Sequence, residues 1–126
     1  MAFYVENDVI YITKGDDAVL EVSSMVAEDG SEYSMQPEDV LTLTVRSMPS
    51  ELVPVMMQID SLPGEVRIVL RHDDTAELDV GRYSADVQLN TQDGKRYTIW
   101  PPLAGNNRYV VKNMNNFVIM PEVTIK

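Results

Sequence analysis

Apolar and polar residues alternate with period two along most of this chain, in short runs separated by turn residues. A strand sends successive side chains to opposite faces, so the pattern predicts half-buried β-strands. The first run, VIYIT at 9–13, ends at the turn Lys14-Gly15-Asp16-Asp17. The next, AVLEVSS, places Ala18, Leu20 and Val22 on one face and Val19, Glu21 and Ser23 on the other. Residues 27–38 are acidic and rich in turn formers (Asp29-Gly30, Gln36-Pro37) and read as an exposed loop carrying Tyr33.

In VLTLTVRS (40–47), Leu41, Leu43 and Val45 face inward and Thr42, Thr44 and Arg46 outward. In VPVMMQID (53–60), Val53, Val55, Met57 and Ile59 share a face. Pro54 cannot donate to a ladder, so that strand either lies at a sheet edge or starts after the proline. After the turn Leu62-Pro63-Gly64-Glu65, Val66, Ile68 and Leu70 form the inner face of EVRIVLR, with Arg67 and Arg71 outward. Asp73-Asp74-Thr75 is a capping sequence, and residues 76–78 are expected to form a brief helical or 3₁₀ crossover.

Tyr83, Ala85, Val87 and Leu89 then alternate with Ser84, Asp86, Gln88 and Asn90. Asp93-Gly94 closes a hairpin whose second strand carries Tyr97 and Ile99 and stops at Trp100-Pro101-Pro102. The last run, FVIMPEVTI (117–125), contains Pro121, which marks it as an edge or a bulge. The pattern favours an all-β sandwich or barrel over an α/β fold, and the expected fold is an antiparallel sandwich of about eight short strands, without a convincing helical period or an internal repeat.

Composition narrows the class. At 126 residues the chain is expected to form one domain, 1–126, with a single two-layer core. Its hydrophobic fraction of 44% and charged fraction of 24% are ordinary for a globular protein. There are no cysteines, which removes disulfides and thiolate metal ligands. Twenty acidic against ten basic residues give a net charge of −10, which argues against nucleic-acid binding. That charge maintains solubility and biases encounters toward basic partners. The N-terminal residues show no signal peptide, and no apolar run is long enough to cross a membrane.

Candidate chemistry is sparse. His72, the single histidine, stands beside Asp73 and Asp74, but no serine sits in a Gly-x-Ser-x-Gly turn to serve as its nucleophile. One imidazole also falls short of a zinc site. The acidic pairs Asp16-Asp17, Glu28-Asp29, Asp73-Asp74 and Glu77/Asp79 match no calcium loop and read as solvated turns. Trp100, Tyr97, Tyr109 and Tyr33 are candidates for an aromatic platform that stacks sugars; the competing reading places Tyr97 and Trp100 in the core or an interface. Eight methionines suit gap filling or an adaptable contact surface. No phosphate-binding loop is present. The expectation is a non-enzyme with no catalytic residue, cofactor or metal.

Several short motifs together resemble a family of small structural proteins from tailed phages and prophages. They are Lys14-Gly15-Asp16-Asp17 before a strand, His72-Asp73-Asp74-Thr75 after one, and Leu78-x-x-Gly81-x-Tyr83. Gln92-Asp93-Gly94-Lys95 followed by Thr98, and a closing Glu122-Val123-Thr124, complete the set. The chain looks like the immunoglobulin-like N-terminal domain of phage baseplate upper proteins, over roughly residues 9–125. The segment LAGNNRYVVKNMNN (103–116) is longer than that layout and leaves room for an extra hairpin.

The resemblance implies an immunoglobulin-like sandwich with a structural corner at Leu78, Gly81 and Tyr83. It implies a structural or adaptor role in a virion tail or baseplate after assembly in the host cytoplasm, through contacts with other virion proteins or copies of itself. The strands at 53–60 and 117–125 are the expected docking edges. The alternative is a carbohydrate-binding module using Trp100, Tyr97 and Tyr109.

Overall fold

The computed structural model describes residues 3–6, 9–23, 25, 30–48, 52–100 and 116–121. Among the described residues there are nine strands and one short helix. The strands are β1 (Phe3–Glu6), β2 (Val9–Thr13), β3 (Ala18–Glu21), β4 (Val40–Arg46) and β5 (Val55–Asp60). After β6 (Arg67–Leu70) come α1 (His72–Ala76), β7 (Gly81–Asn90), β8 (Arg96–Trp100) and β9 (Phe117–Met120). One sheet runs in the order β1-β2-β9-β7-β4-β5, with β8 also on β7, and the other is the pair β3-β6. The expected all-β sandwich class is what the chain adopts. One pairing departs from the antiparallel rule: β2 runs parallel to β9.

The core lies between the two sheets and is built from the inward halves of the alternating runs. Ile10 and Ile12 of β2, Leu41, Leu43 and Val45 of β4, Val87 of β7, and Phe117 and Ile119 of β9 are buried on the larger sheet. Ile68 and Leu70 of β6 supply the opposing layer, with Ala18 and Leu20 opposite them on β3. Thr42 and Thr44 are buried as well, although they point to the far face. β4 is central, between β5 and β7, so neighbouring side chains cover that face too.

β7 is the longest strand and the one with three partners. Along one side it pairs with β4 from Ser84 to Asn90. Along the other it pairs with β9 through Gly81–Tyr83 and with β8 through residues 87–90. Between those two ladders Ala85 has no strand opposite it among the described residues, and a buried backbone amide without a partner is costly. The side chain of Asn116 takes that place. Its Oδ1 accepts from the Ala85 N–H at 2.7 Å and its Nδ2 donates to the Ala85 carbonyl at 2.8 Å. A primary amide thus stands in for a peptide group. The Asn116 carbonyl also accepts from the Ile10 N–H at 2.8 Å, so one residue ties β2, β7 and β9 together.

Four local expectations change. The run 117–125 was expected at an edge, but β9 lies inside the sheet between β2 and β7, and Pro121 falls just past its end, where no ladder bond is lost. Val55 was expected inward with Met57. The β4–β5 register shifts between Val45 and Arg46, so Val55 pairs with Arg46 and is exposed. Such a shift turns the alternation over. The helical turn comes earlier than expected, at His72–Ala76 rather than 76–78. Finally, β1 was not anticipated. The expected extra hairpin lies outside the described residues, apart from Asn116.

Replacing Asn116 with Ala leaves both backbone groups of Ala85 unpaired in a buried place. Asn116→Ala is expected to lower unfolding free energy by about 2–4 kcal/mol in denaturant titrations. A loss below about 0.5 kcal/mol would show that the amide is not holding the ladders together.

Candidate functional site

The corner singled out in the sequence forms where the chain leaves β6, passes through α1 and enters β7. Gly81 opens β7 at φ +154°, a conformation that side-chain-bearing residues rarely adopt. Leu78 and Tyr83 are both buried. The Tyr83 hydroxyl donates to the Asp79 carbonyl at 2.6 Å, the bond that defines a tyrosine corner in sandwich domains. Burial, and then the Asp79 charge, push the phenol pKa up.

The acidic turn around His72 is also a joint. The Asp74 carboxylate accepts from the Arg71 N–H at 2.6 Å at the start of α1. Thr75 does not share that capping role. It is fully buried, and its Oγ1 accepts from the Gly15 N–H at 2.9 Å, across sixty residues of chain. The neighbouring Asp17 Oδ1 accepts from the His72 backbone N–H at 2.6 Å and lies 3.1 Å from the ring Nδ1. Ring Nε2 lies 3.0 Å from Asp73 Oδ1. The bond from the His72 backbone N–H, then the one from its ring, hold the Asp17 carboxyl below its ordinary pKa. The side chains of His72, Asp17 and Asp73 are mostly exposed, and their hydrogen bonds go to one another and to the backbone. Among the described residues, no three His, Cys, Asp or Glu side chains gather in a way that suits a metal ion.

The outer face of the larger sheet carries a row of polar side chains. Thr42 Oγ1 donates to Asp60 Oδ1 at 2.7 Å and accepts from Asn90 Nδ2 at 3.1 Å, while Gln58 Nε2 donates to Thr44 Oγ1 at 3.1 Å. Ser84 Oγ and Asp86 Oδ1 are buried there without a protein partner. Burial raises the Asp86 pKa, and nearby Arg46 pulls it partly back.

Two members of the expected aromatic platform, Tyr97 and Trp100, lie among the described residues. Tyr97 and Trp100 are half-buried and pack against the core, and Tyr109 lies outside the described residues. The β7–β8 register shifts between Val87 and Gln88, which brings Trp100 opposite inward-facing Val87. Tyr97 joins Tyr33 in a cleft of about 620 Å³ between residues 33–39 and the β7–β8 turn. Gln36, Pro37, Asp39, Thr91, Gln92, Asp93 and Lys95 complete its lining.

This cleft was not foreseen, because its two halves lie more than fifty residues apart in sequence. The one available cue was Tyr33, a large aromatic in an otherwise polar loop. Its hydroxyl donates to Asp39 Oδ2, which also accepts from the Gln36 N–H at 2.9 Å. The Asp39 bond, reinforced by burial, pushes the Tyr33 pKa up to about 12.

Among the described residues, six of the nine exposed large apolar side chains lie on the β4–β5 hairpin, the β5–β6 turn and β6, and the other three are Val5, Val19 and Val80. Met48, Leu52, Val55 and Met56 belong to the β4–β5 hairpin, and β5 ends the larger sheet. Leu62 and Val69 are exposed in a groove of about 540 Å³ beside the end of β5 and along β6, where Arg67, Arg71, Glu65 and Asp74 supply charge.

Two measurements probe the corner. Tyr83→Phe should lower stability by about 1 kcal/mol or somewhat more, and His72→Ala by almost nothing, because only the first removes a buried hydrogen bond. The reverse order in denaturant titrations would contradict the placement. Asp17 provides a pH test. Its folded pKa is below the ordinary 3.8, so the ionised carboxylate stabilises the fold above that value, and the contribution is lost as pH falls through the depressed pKa. Asp17→Asn should therefore be less stable than the parent protein at neutral pH, with the gap closing below pH 3.8. A gap independent of pH would count against the bond. No family model, curated protein or solved structure matches the chain.

Proposed function

We propose that the protein is a non-enzymatic structural or adaptor subunit that works by protein–protein contact on the β5–β6 side of the sandwich. The supporting observation is the concentration of exposed Met48, Leu52, Val55, Met56, Leu62 and Val69 there. Burying such side chains is worth roughly 25 cal/mol per Å² of apolar surface, which favours a partner over solvent. Pro54 and the register shift at Val55–Met57 interrupt the regular edge of β5. Contact at that end is therefore by side-chain packing rather than by adding a strand. Methionines 48 and 56 adapt their shape readily to a partner surface.

The setting proposed is a phage or prophage tail or baseplate, with copies of the same chain or neighbouring virion proteins as partners. The resemblance of the Lys14–Asp17, His72–Thr75 and Leu78-x-x-Gly81-x-Tyr83 motifs supports that setting. The structure adds that the first two motifs meet through Gly15 and Thr75, as parts of one corner would.

The test combines light scattering at high protein concentration with a pull-down from purified virions. A multimer or a defined tail-protein partner is expected, and Val55→Lys with Met56→Lys should abolish the association while leaving thermal stability near the parent value. A strict monomer that captures no tail protein would overturn the proposal.

A further inference from the structure

We propose that the cleft between residues 33–39 and the β7–β8 turn binds a neutral carbohydrate. Its volume of about 620 Å³ suits a small ligand of one or a few rings. Tyr33 and Tyr97 give it two aromatic walls, and the C–H faces of a sugar ring pack against such rings while its hydroxyls stay available for hydrogen bonding. Gln36 Nε2 donates one N–H to the Ser34 carbonyl at 3.0 Å; its second N–H and its oxygen, with the Gln92 amide, match hydroxyl groups that both give and take hydrogen bonds.

The charges in the cleft decide between a neutral and a cationic ligand. Asp39 is only 1% exposed, and its Oδ2 is occupied by the Tyr33 hydroxyl and the Gln36 N–H, so it serves as a buttress rather than a contact. Asp93 accepts from the Thr91 hydroxyl and lies 3.9 Å from the Lys95 ammonium. The rim therefore presents a carboxylate–ammonium pair, an acceptor beside a donor, and the remaining charge, on Asp39, is buried behind the Tyr33 hydroxyl.

The cleft is also built before a ligand arrives. The turn is closed by Thr91 N–H to the Lys95 carbonyl at 2.9 Å and Gly94 N–H to the Thr91 carbonyl at 3.0 Å. The opposite wall is held by Asp39 N–H to the Gln36 carbonyl at 3.0 Å, and the Asp39 carbonyl accepts from Gly64 N–H at 2.8 Å. Gly64 approaches so closely that a Cβ there would lie 3.1 Å from the Pro37 carbonyl oxygen. Walls fixed in this way need little ordering on binding.

None of the residues lining the cleft is among the exposed apolar residues of the contact surface, so the two are tested with different substitutions. The full chain is titrated with glucose, galactose, N-acetylglucosamine, lactose and, as a cationic control, arginine, with two-dimensional amide NMR as the readout. A glycan array widens the panel. A saccharide is expected to shift the amides of residues 33–36 and 91–97 saturably. Lys95→Ala and Asp93→Asn, both at exposed positions, should weaken binding by about tenfold or more, the loss of a hydrogen bond to a charged group, with thermal stability as the folding control. Three results would overturn the proposal: no response to any glycan, a response to arginine alone, or glycan binding unchanged in both variants.

Discussion

The larger sheet depends on one side-chain amide. β7 changes neighbour midway, from β9 to β8, and a sheet that does so leaves backbone groups facing nothing. Asn116 closes that opening with two hydrogen bonds to Ala85, and its own carbonyl reaches Ile10 on β2. Because β2 and β9 are parallel, the starts of the two strands meet at this residue. An asparagine is suited to the place because its amide reproduces the donor and acceptor of a peptide unit.

The second constraint is the corner beneath β7. Tyr83 ties the strand to Asp79, while Thr75 and His72 tie α1 to the turn at Gly15 and Asp17. The acidic turns at Asp16-Asp17 and Asp73-Asp74 and the single histidine are thus joined to one another. Their hydrogen bonds go to backbone N–H groups, the arrangement that lowers the Asp17 pKa.

Much of the fold was legible because alternation reports directly on burial. Leu41, Leu43 and Val45 sit inward as the pattern requires, and so do Tyr83, Ala85, Val87 and Leu89. Reading failed where register slipped or where distance in sequence hid a contact. The shift beside Val45 turned Val55 outward, and the one beside Val87 set Trp100 opposite an inward position, so neither residue followed the simple period. Pro121 suggested an edge, although a proline just past a strand end disturbs no ladder. The roles of Thr75, Asn116 and the Tyr33–Asp39 pair are tertiary, and no local pattern announces them. The cleft belongs to this second kind: its residues are ordinary loop residues until the fold brings residues 33–39 against the turn after Asn90.

The β5–β6 side offers apolar contact, and residues 33–39 with the β7–β8 turn form a polar, aromatic cleft; both attach to β4 and β7, which pair with each other. Their relative placement is therefore only as firm as the β7 ladders. Native-state hydrogen exchange at the Ala85 amide tests that most directly. If Asn116 closes the ladder, Ala85 should exchange as slowly as the Val87 and Ile10 amides, through global unfolding. Rapid exchange at Ala85 beside slow exchange at Val87 would mean that the opening in β7 is unfilled and would contradict the account.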